Sequence, residues 1–309
     1  MSHALYDVVA PAKLNLFLHV IGRRADGYHL IESLFVLIDW FDTMHFEART
    51  DGRLARHDLG APLPADDLCV RAARLLQAES GTTFGADISI DKRLPSGAGL
   101  GGGSSDAAST LLALNRLWRL DWPRARLLAL GLRLGADVPF FIGGCNALAE
   151  GIGERLTPVE LPRQWLAVVK PPASIETRVL FASPLIKPRP ATAILESLIG
   201  RAQRPADRQG DRGWQAGWRA GWQEDGPGGW DNDLQAAAEA ECPEVAQAAA
   251  LLQTQFGNSR MTGSGSAVFA QAGSGSAPAA SMPTGLPAGW AARMCRSLDE
   301  HPLVGWASG

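Results

Sequence analysis

Glycine is concentrated in one stretch of this chain, which reads Pro95-Ser-Gly-Ala-Gly-Leu-Gly-Gly-Gly-Ser-Ser105. Its five glycines allow the backbone to turn successive N–H groups toward an anion, and a helical pattern begins directly after it. The N-terminus of a helix adds partial positive charge at the same place. The stretch therefore predicts a phosphate-binding loop rather than a flexible linker. Its members are Pro95, Ser96, Gly97, Ala98, Gly99, Leu100, Gly101, Gly102, Gly103, Ser104 and Ser105.

Two familiar phosphate-binding motifs fit this loop poorly. Gly97-Ala-Gly-Leu-Gly-Gly102 matches the Gly-x-Gly-x-x-Gly pattern of dinucleotide-binding folds, in which the preceding strand is apolar throughout because both of its faces are buried. Here Asp87-Ile-Ser-Ile-Asp91 alternates between polar and apolar residues, as a half-exposed strand does. A Walker A loop is also disfavoured, since no lysine stands before Ser104. We therefore expect a phosphate-binding loop of a different kind.

Two residues near the start of the chain form a second candidate site. Lys13 and Asn15 alternate with leucines in the segment that ends at Val20, and this period of two predicts a strand. Successive side chains of a strand point to opposite faces, so Lys13 and Asn15 share one face while the leucines enter the core. A lysine and an amide on one face make a candidate site.

Asp137 is the candidate acidic residue. It follows the helix break at Gly135 and precedes Pro139, a position where a carboxylate can be held in a pocket. An ordinary turn aspartate explains the same pattern equally well. A second glycine turn, Arg260-Met-Thr-Gly-Ser-Gly-Ser-Ala-Val-Phe269, leads into an apolar strand, and many hairpins share that pattern.

The predicted secondary structure places the glycine-rich stretch between a strand and a helix. Helices are expected at 67–79 and 124–134, and another runs from a cap at Ser104 or Ser105 through Asn115. After a strand at 165–169, further helices are expected near Val179 and, in an alanine-rich region, at 234–255. A change in character near residue 155 indicates two domains, 1–155 and 156–309. The segment 200–229, with its repeated Gly-Trp pairs, is predicted to be a surface insertion, and 273–289 a loop.

Composition and charge limit the classes of function. The chain has 309 residues, a formal net charge of -3 and 46% hydrophobic residues, which is typical of a globular enzyme of about two domains. No global positive charge favours nucleic acid or an anionic membrane. No signal peptide or bilayer-spanning stretch is evident, so we expect a cytoplasmic protein. The four cysteines are widely spaced and indicate neither a zinc site nor a redox motif.

Three segments, in order along the chain, resemble the GHMP kinase superfamily. They are Pro11-Ala-Lys-Leu-Asn15, the stretch 95–105 and Thr262-Gly-Ser-Gly-Ser266. Further segments resemble the branch of the superfamily that acts on a cytidine-diphosphate-linked methylerythritol, and the resemblance covers nearly the whole chain. These are Ala10-Pro-Ala-Lys-Leu-Asn-Leu16, Arg24-Ala-Asp-Gly-Tyr-His29, Gly135-Ala-Asp-Val-Pro-Phe140 and Asn232-Asp-Leu234.

The resemblance implies an α+β fold with a ribosomal-S5-like amino-terminal domain and a ferredoxin-like carboxy-terminal domain. It implies ATP- and Mg2+-dependent phosphorylation of the 2-hydroxyl of the cytidine-diphosphate-linked methylerythritol, in the non-mevalonate route to isoprenoids. Lys13 and Asp137 would be the catalytic pair, and 95–105 the ATP loop. The substrate would be contacted by Asn15, Tyr28, His29 and Phe181.

Other functions stay open at this point. Homoserine, mevalonate or a sugar could be the acceptor within the same superfamily, and a substrate screen with ATP would discriminate among them. A phosphate-binding oxidoreductase would require nicotinamide binding. A non-catalytic RNA-binding module with the S5-like fold is disfavoured, because the chain is acidic overall and no dense Lys/Arg stripe accompanies the glycine loop.

Overall fold

The computed structural model of the chain describes residues 3–189 and 230–308. Their strands form two sheets, one within residues 4–158 and the other within residues 165–296. Helices accompany both sheets, and the α+β class implied by the resemblance is confirmed. The segment 200–229, predicted to be a surface insertion, lies outside the described residues.

The first sheet is built on a long antiparallel hairpin of β1 and β2. Its strands are β1 (Ala4–Arg23), β2 (His29–Arg49), β3 (Leu54–Asp58), β4 (Gly85–Asp91), β5 (Ala147–Gly151) and β6 (Arg155–Pro158). The far edge of β2 pairs with β4 toward one end and with β5 toward the other, while β3 and β6 occupy the outer positions. The strands predicted at Lys13 to Val20 and at 87–91 are confirmed within β1 and β4.

Four helices form one apolar cluster with this sheet, and the sheet and these helices together are the first layer. They are α1 (Leu68–Ser80), α2 (Gly102–Leu117), α3 (Arg124–Leu132) and α4 (Val138–Gly143). The predicted helix at 67–79 is confirmed with both ends, since the Asp67 side chain accepts from the N–H of Val70 at 3.0 Å and Gly81, with φ 65°, closes the last turn. The helix predicted at 124–134 ends two residues earlier than expected, at Leu132.

The start of α2 corrects one prediction. We expected Ser104 or Ser105 to cap this helix, but the helix already begins at Gly102 and its N-cap is Gly101, which makes no side-chain cap hydrogen bond. The left-handed conformation of Gly101 brings the chain into the helix before the serines are reached. Ser104 and Ser105 therefore lie in the first turn, and Ser105 is buried.

The second sheet is antiparallel, with strand order β10-β7-β9-β8. Its strands are β7 (Trp165–Lys170), β8 (Arg260–Met261), β9 (Val268–Gly273) and β10 (Ala291–Arg296), accompanied by helices α5 (Thr177–Phe181), α6 (Gln235–Glu241) and α7 (Pro243–Phe256). The predicted strand at 165–169, the helix near Val179 and the loop at 273–289 are confirmed. The helices predicted at 234–255 are confirmed as α6 and α7, and Pro243 begins the second of them.

β1 lies between the helices and the second sheet. Val8 and Ala10 belong to the cluster with α1 and α2, whereas Leu14 and Leu16 belong to a cluster that includes Val168 of β7. Both faces of β1 are therefore buried, one against the helices and the other against the second sheet. Within the part of the chain that the structure describes, none of the helices has the length and apolar character needed to span a bilayer.

Residues 297–308 return from the second sheet to the first layer. The guanidinium of Arg124 donates to the carbonyl oxygens of Ile142 at 2.6 Å and Ala307 at 3.0 Å, so it joins α3, the end of α4 and this tail. His301 is fully buried within the tail, and its Nδ1 accepts from the N–H of Leu303 at 3.0 Å. Burial, assisted by the positive charge of Arg124, lowers the pKa of His301 to about 3.

This buried histidine predicts a loss of stability in acid. The unfolded chain protonates His301 near pH ~6.5, while the folded chain resists protonation until about pH 3, so the unfolded state binds more protons in between. From about pH 7 to about pH 5, the wild type should lose about 2 kcal/mol more unfolding free energy than His301→Asn, which keeps an acceptor for Leu303. Urea unfolding at the two pH values measures this. Equal losses in the two proteins would show that His301 does not carry the linkage.

Candidate active site

The glycine-rich stretch folds as a loop that leads directly into α2. Gly97, Gly99 and Gly101 have φ values of 59°, 71° and 71°, in the left-handed region that other residues rarely adopt. Gly101 is the N-cap of α2, and the first N–H groups of a helix have no partners within the helix. The loop therefore presents backbone donors beside a positive helix end, which suits a phosphate.

A cavity of about 340 Å³ opens over this loop. Residues 95–104 form much of its wall, and they are joined by Leu63, Asp67, Leu68, Lys92 and Asp106. The volume lies within the range of small-molecule sites, and the wall combines apolar side chains with backbone donors and a lysine. This combination can hold an anionic ligand that also has an apolar part.

The second glycine turn, between β8 and β9, packs directly on the glycine-rich loop. The N–H groups of Ser266 and Ala267 donate to the carbonyl oxygens of Gly97 and Ala98, both at 3.2 Å. A Cβ placed on Gly99 would lie 2.3 Å from the carbonyl oxygen of Thr262. The approach of the two turns is thus possible only because residue 99 has no side chain.

Lys13 and Asp137 are brought together next to the loop. Lys13 Nζ lies 3.4 Å from Asp137 Oδ2 and donates to Asn15 Oδ1 at 2.5 Å. The ammonium also lies 4.5 Å from the centre of the Phe35 ring, and the backbone N–H of Lys13 donates to the carbonyl oxygen of Leu100 at 2.9 Å. The lysine, only 4% exposed, is therefore fixed by two strands and the loop together.

Asp137 keeps its carboxylate available for chemistry. It is the N-cap of α4, yet its side chain makes no capping hydrogen bond, and 32% of that side chain is exposed. The ordinary turn aspartate that the sequence allowed would use its oxygens on the adjacent backbone. A partly exposed carboxylate that faces a buried ammonium can accept a proton from a bound hydroxyl group.

Asn15 links the Lys13 side chain to the second glycine turn. Its N–H donates to Thr262 Oγ1 at 2.8 Å, and its side-chain amide donates to Ser33 Oγ, also at 2.8 Å. Asn15 is 2% exposed, so its hydrogen-bond partners determine its orientation. Lys13, Asn15 and both glycine turns thus form one continuous site.

A charge cluster that sequence reasoning missed supports the entry to the loop. Lys92 Nζ donates to Asp106 Oδ2 at 2.6 Å and also to Asp42. Asp42 accepts from the N–H groups of Arg93 and Leu94, at 2.6 Å and 2.8 Å, and so holds the chain where it enters the loop. The position of Lys92, just before the glycines, was an available signal, whereas Asp42 stands far away on β2 with no local sign of a role.

The buried positions of this cluster shift its titration. Burial raises the pKa of Asp106 above its ordinary value, against the opposing effect of Lys92. Burial disfavours the charged Lys92, but the carboxylates of Asp106 and Asp42 outweigh this and raise the pKa of Lys92. The lysine consequently stays charged at the wall of the cavity.

Of the remaining predicted substrate contacts, Tyr28 and His29 lie at the turn between β1 and β2, and Phe181 ends α5. The ring of His29 stacks on that of Phe181, with centroids 4.8 Å apart and an interplanar angle of 17°. Burial and the nearby charge of Arg23 lower the pKa of His29, which favours a neutral imidazole. Tyr28 is 60% exposed, so the structure brings His29 and Phe181 into contact but leaves Tyr28 facing solvent.

Family models match the sequence in two places. GHMP kinases N terminal domain matches residues 67–145, which include the glycine loop and Asp137, and GHMP kinases C terminal matches residues 224–280, which include the second glycine turn. A homoserine kinase from Cytophaga hutchinsonii has the same fold, with a TM-score of 0.64 at 16% identity over 97% of this chain and 96% of that chain. The fold and the site together define a GHMP kinase.

Sequence comparison narrows this class. The 4-diphosphocytidyl-2-C-methyl-D-erythritol kinases of Methylibium petroleiphilum and Albidiferax ferrireducens are 60% and 51% identical, over 98% of this chain and 98% and 96% of theirs. A crystal structure of 4-(cytidine 5'-diphospho)-2C-methyl-D-erythritol kinase matches with a TM-score of 0.68 at 32% identity, over 94% of this chain and 98% of that chain. This chain belongs to the 4-diphosphocytidyl-2-C-methyl-D-erythritol kinase family.

Proposed function

We propose that this chain transfers the γ-phosphoryl group of ATP to the 2-hydroxyl of 4-(cytidine 5'-diphospho)-2-C-methyl-D-erythritol, giving the 2-phosphate and ADP, in the non-mevalonate route to isopentenyl diphosphate. The contact between Lys13 and Asp137 at 3.4 Å carries the proposal, because it lies beside a phosphate-binding loop. The names of the relatives supply the substrate.

In this reaction the protein mainly positions groups and stabilises charge. Asp137 accepts the proton of the attacking hydroxyl, and the Lys13 ammonium holds that carboxylate in place and stabilises the developing alkoxide. The backbone donors of 97–103 and the N-terminus of α2 bind the phosphates. Asn15 sets the position of the Lys13 side chain through the hydrogen bond at 2.5 Å.

The N-terminal turn of α2 also offers oxygen atoms that fit Mg2+. Ser105 Oγ and Asp106 Oδ1 are buried atoms with no hydrogen-bond partner among the described residues. Mg2+ prefers oxygen ligands and takes only one or two from the protein when it also binds phosphates. Ser105 and Asp106 would hold the ion, which would neutralise negative charge on the phosphates.

The paired rings of His29 and Phe181 form the proposed contact for the cytosine base, with Tyr28 beside them. Phe181→Ala should raise the KM for the cytidine-linked substrate about tenfold, since stacking on an aromatic ring contributes about 1–3 kcal/mol per base, and should change kcat less than about threefold. Steady-state kinetics at saturating ATP measure both constants. Phe84→Ala, which removes an exposed ring elsewhere, is the control. An unchanged KM in Phe181→Ala would remove this residue from the substrate site.

Phosphorus NMR tests the proposed activity directly. The purified protein is incubated with ATP, Mg2+ and the cytidine-linked substrate, and in parallel with homoserine, mevalonate and galactose as acceptors. We expect a new phosphomonoester signal with the cytidine-linked substrate alone. A signal with another acceptor instead would reassign the substrate, and ATP binding without any product would overturn the proposed reaction.

We also propose a division of the chain near residue 155, with the ATP-binding part in 1–155 and the second part in 156–309. A cytoplasmic location is proposed because ATP is the donor. The partner that the site fits is a small molecule, and the net charge of -3 favours neither nucleic acid nor an anionic membrane.

A further inference from the structure

Asn232 lies in a short segment that runs alongside β1. The N–H of Leu18 donates to the carbonyl oxygen of Asp231, and the N–H of Asp233 donates to that of Leu18, both at 2.9 Å. These two bonds form a parallel bridge between Leu18 and Asn232. The segment therefore extends the first sheet beyond β1, and it does so beside the residues of β1 that carry the site.

The side chain of Asn232 holds the second glycine turn. Its Nδ2 donates to the carbonyl oxygens of Met261 at 2.9 Å and Gly263 at 2.8 Å, while its Oδ1 accepts from the N–H of Leu234 at 2.9 Å. Because two carbonyl oxygens lie on one side of the amide and an N–H on the other, they determine which of its two terminal atoms is the nitrogen. With 6% exposure, the amide has little access to water as an alternative partner.

One of the two carbonyl groups held by Asn232 belongs to Gly263, which touches the active site. A Cβ on Gly263 would lie 3.0 Å from the carbonyl oxygen of Gly99 and 3.2 Å from Asn15 Oδ1. That same Asn15 oxygen accepts from Lys13 Nζ at 2.5 Å, and the Asn15 N–H is bonded to Thr262 Oγ1. A displacement of the turn at Gly263 is thus transmitted to Asn15 and through it to Lys13.

We infer that Asn232 is a positioning residue for phosphoryl transfer, which fixes the second glycine turn against Asn15 and thereby orients the Lys13 ammonium toward Asp137. The inference rests on the proposed function for its kinetic test, but not for its structural test. The nucleotide loop depends on Asn232 less, because the bonds of Gly97 and Ala98 to Ser266 and Ala267 hold it at a separate place.

Asn232→Asp changes the chemistry of this contact with little change of shape. It replaces the donor of two hydrogen bonds by an oxygen that faces two carbonyl oxygens, which is unfavourable in a buried place.

The chain offers a matched control in Asn258. Its Nδ2 donates to the carbonyl oxygens of Phe256 and Gln271, at 2.9 Å and 3.2 Å, and its Oδ1 accepts from the N–H of Gln271 at 2.6 Å. Asn258→Asp therefore introduces the same kind of repulsion at a half-buried position away from the site.

Kinetics should separate the two variants. We expect Asn232→Asp to lower kcat at least about tenfold and to change the KM for ATP less than about threefold. The variant should misplace the Lys13 ammonium, which acts during transfer, more than the loop that binds the nucleotide. Asn258→Asp should keep kcat within about twofold of the wild type at a temperature where both variants are folded. Equal kcat values for the two variants, or a loss in ATP binding alone, would overturn the inference.

Hydrogen exchange measured by mass spectrometry tests the same inference without any acceptor substrate. In Asn232→Asp, exchange should become faster in the segments that contain the N–H of Asn15 and the N–H of Gly265, which donates to the carbonyl oxygen of Thr262 at 2.9 Å. In Asn258→Asp it should become faster only around Gln271, whose N–H is bonded to Asn258 Oδ1. Unchanged exchange at Asn15 in a folded Asn232→Asp protein would overturn the positioning role. If wild type fails to phosphorylate the cytidine-linked substrate, the proposed function fails, and the exchange result still decides the role of Asn232.

Discussion

Asp137→Asn is expected to lower kcat by about a thousandfold while the KM for ATP changes less than about threefold, since proton transfer by a positioned side chain contributes roughly 10²–10⁴-fold. Asparagine keeps the size of the side chain but cannot accept the hydroxyl proton. The phosphate-binding loop and α2 keep their donors, so nucleotide binding is retained. Steady-state kinetics with the cytidine-linked substrate, together with phosphorus NMR of the product, measure the effect.

The control for this variant removes a carboxylate from an ion pair outside the site. Asp299 pairs with Arg163 at 2.5 Å on the surface, so Asp299→Asn should leave kcat unchanged within about twofold. Asp137→Asn leaves the buried Lys13 without its carboxylate partner, and its thermal unfolding must therefore be measured to confirm that it is folded at the assay temperature. A parallel loss of kcat and ATP affinity in Asp137→Asn would assign Asp137 to nucleotide binding instead.

Gly99→Ala is expected to weaken ATP binding at least about a hundredfold and to lower the unfolding free energy by about 3 kcal/mol. The alanine would have to adopt φ 71°, and its Cβ would lie 2.3 Å from the carbonyl oxygen of Thr262. Neither group is the end of a flexible side chain, so the two glycine turns must separate. Separation disturbs the donors that bind the phosphates and removes support from Asn15.

Gly81→Ala distinguishes backbone strain from this close approach. Gly81 also has a left-handed φ of 65°, but a Cβ there would meet nothing within 4 Å. We expect it to cost about 1 kcal/mol of stability and to leave ATP binding unchanged. Calorimetric titration with ATP and Mg2+, and urea unfolding, measure the two quantities. If Gly99→Ala behaves like Gly81→Ala in both, the contact between the turns is not required for nucleotide binding.

Local features of the chain were predictable from the sequence because their physical requirements are local. The left-handed conformations of the loop need glycine at Gly97, Gly99 and Gly101, and the sequence supplies it there. The helix at 67–79 shows both its cap and its terminating glycine within the sequence itself. The alternation of β4 is visible in its residues and appears as alternating burial in the structure.

The predicted start of α2 was wrong because a local signal had two possible outcomes. Ser104 and Ser105 are good N-cap residues, but Gly101 starts α2 first, because its left-handed conformation is compatible with the packing of the loop against Phe141 and Lys13. The glycine that decided the outcome was present in the sequence, but its effect depended on what it packs against.

The sequence by itself determined the glycine-rich loop before α2, the alternating strands and, through the resemblance, the family. Only the tertiary structure decided which distant groups meet: Lys13 with Asp137, Lys92 with Asp42, and Asn232 with the turn at Gly263. These contacts depend on the register of the β1 and β2 hairpin and on the second sheet covering β1. Register and packing are set by the summed burial of many side chains, so no single segment of the sequence contains them.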